Sequence, residues 1–190
     1  MRAEDAITRA LGLCKTNPKP IDPASMINTQ QSFTAFFFHL VREFLPENIF
    51  EWGPGHSTNV FLAANDKVRV FSYESIQKWA DQFYAELQRK NASWINRIDF
   101  KVIPCGEPVD EEYVKTIYSD SFFDIVLIDG IDRGRCASEA ERIVRPGGII
   151  MCHDTDFPGM FDMVNDKLSD NVYYFGEHVN GSKTSIWIRK

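Results

Sequence analysis

The chain lacks any stretch of about eighteen consecutive apolar residues, so no membrane-spanning helix is expected. Its start, Met1-Arg2-Ala3-Glu4-Asp5, is charged and has no apolar core of the kind that directs secretion. The expected compartment is therefore the cytoplasm. No two of its four cysteines, Cys14, Cys105, Cys136 and Cys152, stand in a Cys-x-x-Cys spacing, which argues against a structural zinc knuckle. Cys152 falls in an apolar run and reads as a small core hydrophobe. Positive charge is scarce, with a formal net charge of −6, so the broad basic surface that nucleic acid requires is not expected. Internal repeats and low-complexity tracts are absent too.

What remains is an ordinary globular composition, 44% hydrophobic and 25% charged, over 190 residues. That length supports one substantial core. The 15 phenylalanines are rich for it and point to aromatic packing. An early helix is expected over 7–13, and the prolines at 18, 20 and 23 predict an extended connection over 15–23. Phe33, Phe36, Phe37, Leu40, Val41 and Phe44 recur at helical spacing, predicting a helix that packs on a sheet or on a partner copy. Pro46 ends it.

Strands and helices then alternate. Strands are expected over 49–52, 68–73, 98–103, 123–129 and 149–152, with Pro146-Gly147-Gly148 as a turn before the last. A helix carrying Ile76, Trp79, Ala80, Phe83 and Leu87 on one buried face follows the second strand. Others are expected over 135–144 and 160–168. Two late strands, 172–175 and 184–188, flank a hairpin turn at Asn180-Gly181-Ser182. The pattern predicts a doubly wound, mostly parallel α/β sheet closed by an antiparallel hairpin. In such sheets the ligand lies beyond the carboxyl ends of the strands. Glu51, Glu74, Asp129 and Asp154 all stand at those ends, around one crevice.

The sharpest signal is Glu51-Trp52-Gly53-Pro54-Gly55, an acid at a strand end followed by glycines one residue apart. Glycine allows a tight turn and removes the Cβ between backbone and ligand. About twenty residues on, Tyr73-Glu74 places a second acid where a carboxylate grips ribose hydroxyls. Together they point to an adenosine-containing cofactor. With Phe123-Asp124-Ile125-Val126-Leu127-Ile128-Asp129-Gly130 and Arg145-Pro146-Gly147-Gly148 before a strand ending His153-Asp154, the chain resembles class I S-adenosylmethionine-dependent methyltransferases, in particular the small bacterial methyltransferase-like proteins. The resemblance covers residues 49–190. It implies a Rossmann-like, seven-stranded sheet over 48–190, with 1–47 as a helical cap on the substrate side.

The resemblance also implies roles. Glu51, Gly53 and Gly55 would border the methionine part of S-adenosylmethionine, with Pro54, Ser57, Thr58 and Ser75 also at the cofactor. Glu74 would hold the ribose hydroxyls, and the loop of Cys105 and Gly106, or Glu107, would meet the adenine. Asp129 would lie beside the transferring methyl group. Asp129, His153 and Asp154 are the candidate catalytic groups, His153 as a base oriented by Asp154. Catechol-type relatives hold magnesium with acids at the same two strand ends and an amide after the second. Here Thr155 replaces that amide, so the expected site is metal-free. The alternative is a magnesium ion held by Asp129, Asp154 and Asp156. Arg133 and Arg135 read as surface arginines, or as hooks for an anionic substrate. His56 reads as a loop residue, and His39 and His178 as structural.

The expected function is methylation of a small molecule, preferably at oxygen, by a protein that acts alone or as a homodimer. Two rival readings stand beside it. One is a nicotinamide-dependent oxidoreductase, weakened by Thr58 where the dinucleotide fingerprint needs a third glycine. The other is a methyltransferase-like protein that binds an adenosyl ligand or a partner without turnover.

Overall fold

The computed structural model describes residues 1–16, 32–168, 172–177 and 183–190. Helices α1 (Ala3–Thr16) and α2 (Ser32–Phe44) lead into β1 (Asn48–Trp52), α3 (His56–Ala64), β2 (Arg69–Glu74), α4 (Gln77–Asn91) and β3 (Ile98–Val102). Then come α5 (Glu111–Val114), β4 (Phe123–Ile128), α6 (Arg133–Ile143), β5 (Val144–Cys152), α7 (Met160–Asn165), β6 (Val172–Glu177) and β7 (Lys183–Ile188). The seven strands form one sheet in the order β3-β2-β1-β4-β5-β7-β6. Strands β1 to β5 pair in parallel, and β7 inserts antiparallel between β5 and β6.

Period-two alternation divides the core into two layers. Ile49, Val70, Ile125, Leu127, Ile149 and Met151 face α1 to α4, and the phenylalanine stripe of α2 packs into this layer. That stripe is therefore spent within the chain: Phe36, Phe37, Leu40 and Val41 are buried. Phe50, Trp52, Phe71, Val126, Ile128 and Ile150 face α5 to α7 on the other side, with Cys152 buried among them as the sequence suggests. Edge-to-face rings dominate there, for example Phe50 against Trp52 and Tyr73 at 4.6 and 5.1 Å.

Three expectations need correction. The early helix is longer than expected and runs to Thr16, while the rest of the proline-rich connection lies outside the described residues, as do the Asn180-Gly181-Ser182 turn and His178. Pro146-Gly147-Gly148 is not a turn before β5 but an irregular part of it. The Gly147 N–H donates to the Arg189 carbonyl and the Arg189 N–H to Gly148, so the segment stays in the sheet. Trp79 does not join the buried face of α4. Ala80, Phe83 and Leu87 are buried, but Trp79 is 63% exposed and Ile76 is exposed too. Trp79 lines the cleft at the strand ends instead.

Candidate active site

The chain leaves β1 for one side of the sheet through β2 and β3, then returns to β4 on the other side of β1. That reversal opens a crevice at the carboxyl ends of the strands. The cleft there holds a cavity of about 320 Å³, with Gly53, Pro54, Gly55, Ser57, Glu74, Asp129 and His153 among its walls. Phe37 of α2, Leu127 and Trp79 add apolar surface.

Gly53 shows why this loop needs glycine. Its φ of +84° disfavours any side chain, and a Cβ there would lie 2.7 Å from the Asp129 carbonyl oxygen. The β1 and β4 loops thus touch backbone to backbone. The Gly55 N–H then donates to Thr58 Oγ1 at 3.0 Å and starts α3.

Glu51 is not a wall of the cleft. It is fully buried beneath the start of α3. Ser57 Oγ donates to its Oε2 at 2.8 Å, and Thr58 Oγ1 and Ser72 Oγ donate to Oε1 at 2.5 and 2.8 Å. Ser72 can do so because the β1–β2 register sets it opposite Glu51. Burial pushes this carboxyl up to about 7, against the pull of those three hydroxyls. Thr58 is likewise buried and does not reach the cleft. Both residues shape the glycine loop from below, which corrects their expected place at the cofactor surface.

Glu74 is different. Its Oε1 accepts the Ser75 and Ile76 N–H groups at 2.7 and 2.8 Å, which fixes the side chain in the cleft wall. Its Oε2 has no partner among the described residues. Ser75 acts on Glu74 rather than on the cavity. Cys105 and Gly106 do not line the cavity either. The Cys105 thiol turns back to the Ile103 carbonyl at 3.1 Å.

Asp129 lines the cleft, and burial pushes its carboxyl up to about 7 although Arg133 pulls the other way. His153 has both ring nitrogens engaged, Nδ1 with Thr184 Oγ1 at 2.9 Å and Nε2 with Asp154 Oδ1 at 3.3 Å. Burial lowers its pKa below the usual histidine value, so the ring is neutral at pH 7. Asp154 has a left-handed φ of +56°, and its carboxylate meets His153 and Arg133.

Between the two acids lies Arg133. Its Nη2 donates to Asp129 Oδ1 at 3.2 Å and to Asp154 Oδ2 at 3.3 Å. Its Nε reaches the Gly130 carbonyl at 3.1 Å, and Nη1 donates to the His153 carbonyl. Arg133 is thus neither a solvated arginine nor an anion hook, because four of its five N–H groups are bonded inside the protein. Arg135 is the surface arginine of the pair, bonded to Asp132 and Glu111.

The alternative magnesium set of Asp129, Asp154 and Asp156 does not assemble. Asp156 is exposed, and its Oδ1 accepts the Lys183 N–H at 2.7 Å. The groups that do converge are Asp129, His153 and Asp154, with one ligand atom from each within 4.8 Å of the others. The cation that already bridges the two acids is a guanidinium. The residues present therefore do not fit a resident divalent ion.

Sequence reasoning missed Trp79 and Phe37 as cleft residues and undervalued Arg133. The Asp129-to-Arg133 spacing of four residues was the available signal for the last.

No helix among the described residues is long and apolar enough to cross a membrane. No family model matches the chain, and no curated protein matches it. Solved structures do. It is similar to a candidate O-methyltransferase from Klebsiella pneumoniae, with 16% identity, a TM-score of 0.70 and coverage of 99% of both chains. The SAH-bound methyltransferase PaMTH1 of Podospora anserina gives 15% identity and a TM-score of 0.68, covering 98% of this chain and 97% of that one. The O-methyltransferase of Bacillus cereus in complex with SAH gives 18% and 0.64, covering 96% and 89%. The antiparallel β7 inserted beside β5 also departs from the 3-2-1-4-5-6 order of dinucleotide-binding sheets, which removes the fold support for a nicotinamide enzyme. Topology and neighbours agree that this chain has the class I S-adenosylmethionine-dependent methyltransferase fold.

Proposed function

We propose that the chain binds S-adenosylmethionine and transfers its methyl group to a hydroxyl oxygen of a small molecule. The observation that carries this reading is Glu74. One carboxylate oxygen is anchored by two backbone amides and the other is free, at the rim of a glycine-floored cavity. A carboxylate held so accepts from the two hydroxyls of a ribose. The glycine loop offers bare backbone to the methionine part of the cofactor.

The cofactor supplies an electrophilic methyl group, and the protein aligns it with the acceptor. In the transfer the carbon–sulfur bond breaks as the carbon–oxygen bond forms, and the hydroxyl proton must leave. Asp129 is the proton acceptor. It lines the cleft, and a carboxyl near pH 7 suits general-base work at neutral pH. His153 and Asp154 hold each other and the β5 end of the wall. Phe37 and Trp79 give the acceptor an apolar enclosure, so residues 1–47 take part in the substrate side through α2.

Titration calorimetry with S-adenosylmethionine and its demethylated product tests the first half. Binding by the wild-type chain, weakened at least tenfold by Glu74→Ala at unchanged helicity, is expected. No heat with either ligand, or an unchanged dissociation constant in the variant, overturns the assignment. Release of the demethylated product with a panel of small hydroxylated acceptors tests the second half. Binding without any turnover would favour the non-catalytic reading.

A further inference from the structure

We propose that Arg133 is the resident cation of this site, seated where a divalent ion would otherwise bridge Asp129 and Asp154, so that the chain works without metal. The inference rests on the methyltransferase reading for its consequence, but not for its geometry.

Asp129 and Asp154 end adjacent parallel strands, and with His153 they bring three potential ligand atoms within 4.8 Å. Carboxylates so placed would ordinarily invite a hard cation. Here a guanidinium enters from the first turn of α6, four residues after Asp129. One nitrogen, Nη2, bonds an oxygen of each acid. The remaining donors close on the carbonyls of Gly130 and His153, so the group is held from four directions and its side chain is only 13% exposed. Local backbone supports the placement. Asp132, just before α6, and Asp154 both adopt left-handed φ values, +50° and +56°, at the two chain reversals that flank the bridge.

An arginine stays protonated and offers only N–H groups, so it cannot become a ligand. A metal ion entering between the acids would meet a fixed positive charge and would have to break two ion pairs. Removing that charge while keeping the acids should therefore create a metal site the natural chain does not have. The consequence for substrate follows. Without a metal, a pair of neighbouring hydroxyls gains nothing from chelation. The acceptor needs one hydroxyl aimed at the cofactor and close to Asp129, with the rest of its contacts made to apolar wall.

Manganese, whose bound and free forms differ in electron paramagnetic resonance, tests this without any turnover. The wild-type chain should show no saturable binding up to millimolar manganese. Arg133→Ala should bind it saturably, with a dissociation constant at least tenfold below that limit, and adding Asp154→Asn to that variant should abolish the gain. Arg133→Met, which keeps the apolar stem in place, serves if the alanine variant is unfolded by circular dichroism. Arg133→Lys, which keeps a cation, should not gain binding. Sub-millimolar manganese binding by the wild type that is lost in Asp129→Asn overturns the proposal, as does a folded Arg133→Ala or Arg133→Met chain that binds none. If every Arg133 variant unfolds, the wild-type titration decides. S-adenosylmethionine calorimetry on the same samples keeps the two questions apart. Loss of cofactor binding would count against the functional reading and leave the manganese result standing.

Discussion

Glu51 combines complete burial with an ionisable group. The chain buries a carboxyl completely and surrounds it with three hydroxyl donors, yet burial still outweighs them and raises its pKa to about 7. An unfolded glutamate titrates at its ordinary value, so between about pH 4.5 and 7 the folded chain holds a proton the unfolded chain has lost. Stability contributed here is therefore lost as pH rises through that window, by on the order of 3 kcal/mol, and the loss is complete above it. Glu51→Gln removes the ionisation and keeps the shape, since its carbonyl still accepts from Thr58 and Ser72 and the Ser57 hydroxyl can rotate to accept from the new amide. Urea unfolding should find the variant close to wild type at pH 5 and about 1–3 kcal/mol more stable at pH 8. A variant less stable than wild type at pH 8 would mean that the three hydroxyls stabilise the carboxylate more than burial penalises it, so that its pKa is not raised.

At the scale of elements, α3 is fixed at both ends by side chains remote in sequence. Its N-terminus rests on Glu51, and its last turn is closed by Arg97, whose Nη2 and Nη1 donate to the carbonyls of Leu62 and Asn65 at 2.8 and 2.7 Å. A cation at a helix C-terminus satisfies orphan carbonyls and complements the helix dipole. Arg97→Ala should cost about 1–2 kcal/mol of stability, measured by urea denaturation, and loosen the glycine loop at the other end of α3. A neutral result would show that water replaces the guanidinium there. Gly53→Ala acts on the strand end itself, through a positive φ and a close contact with the Asp129 carbonyl oxygen, and should cost about 1–3 kcal/mol in thermal or urea unfolding. Elements of this kind explain what the sequence could and could not disclose. Strand existence was legible because Ile125 to Ile128 and Ile149 to Cys152 are apolar runs that only a doubly covered sheet buries. The glycine loop was legible because its residue types have one steric use. The exposure of Trp79 was not, since helical spacing groups it with Ala80, Phe83 and Leu87 while the fold buries only those three and leaves Trp79 in the cleft wall. Glu51 as a buried support and Arg133 as a bridge between two strand ends were equally hidden. The hydroxyls on Glu51 lie 6 and 21 residues away, and Arg133, only four residues from Asp129, becomes a bridge through Asp154, 21 residues on, which only the folded register brings near.

For the whole molecule, charge bears on the choice of ligand. The chain carries a formal net charge of −6, and among the described residues the cavity walls hold Glu74 and Asp129 but neither lysine nor arginine. S-adenosylmethionine bears a sulfonium that its demethylated product lacks. An ionised Asp129 beside the transfer site therefore favours the donor over the product, and a protonated one does not. With this carboxyl raised to about 7, the preference should grow as pH rises from 6 to 8. The amino and carboxyl groups common to both ligands cancel in the ratio of their dissociation constants, and so does any contribution from Glu74 on the shared ribose. Calorimetry at the two pH values should show the ratio shifting toward the donor by about three- to tenfold, the size expected of one charge pair at an effective dielectric near 20 once partial ionisation is allowed for. Asp129→Asn should hold that ratio constant across the range. A pH-independent ratio in the wild type would place the sulfonium away from Asp129 and with it the methyl group, leaving the base role without a donor to serve.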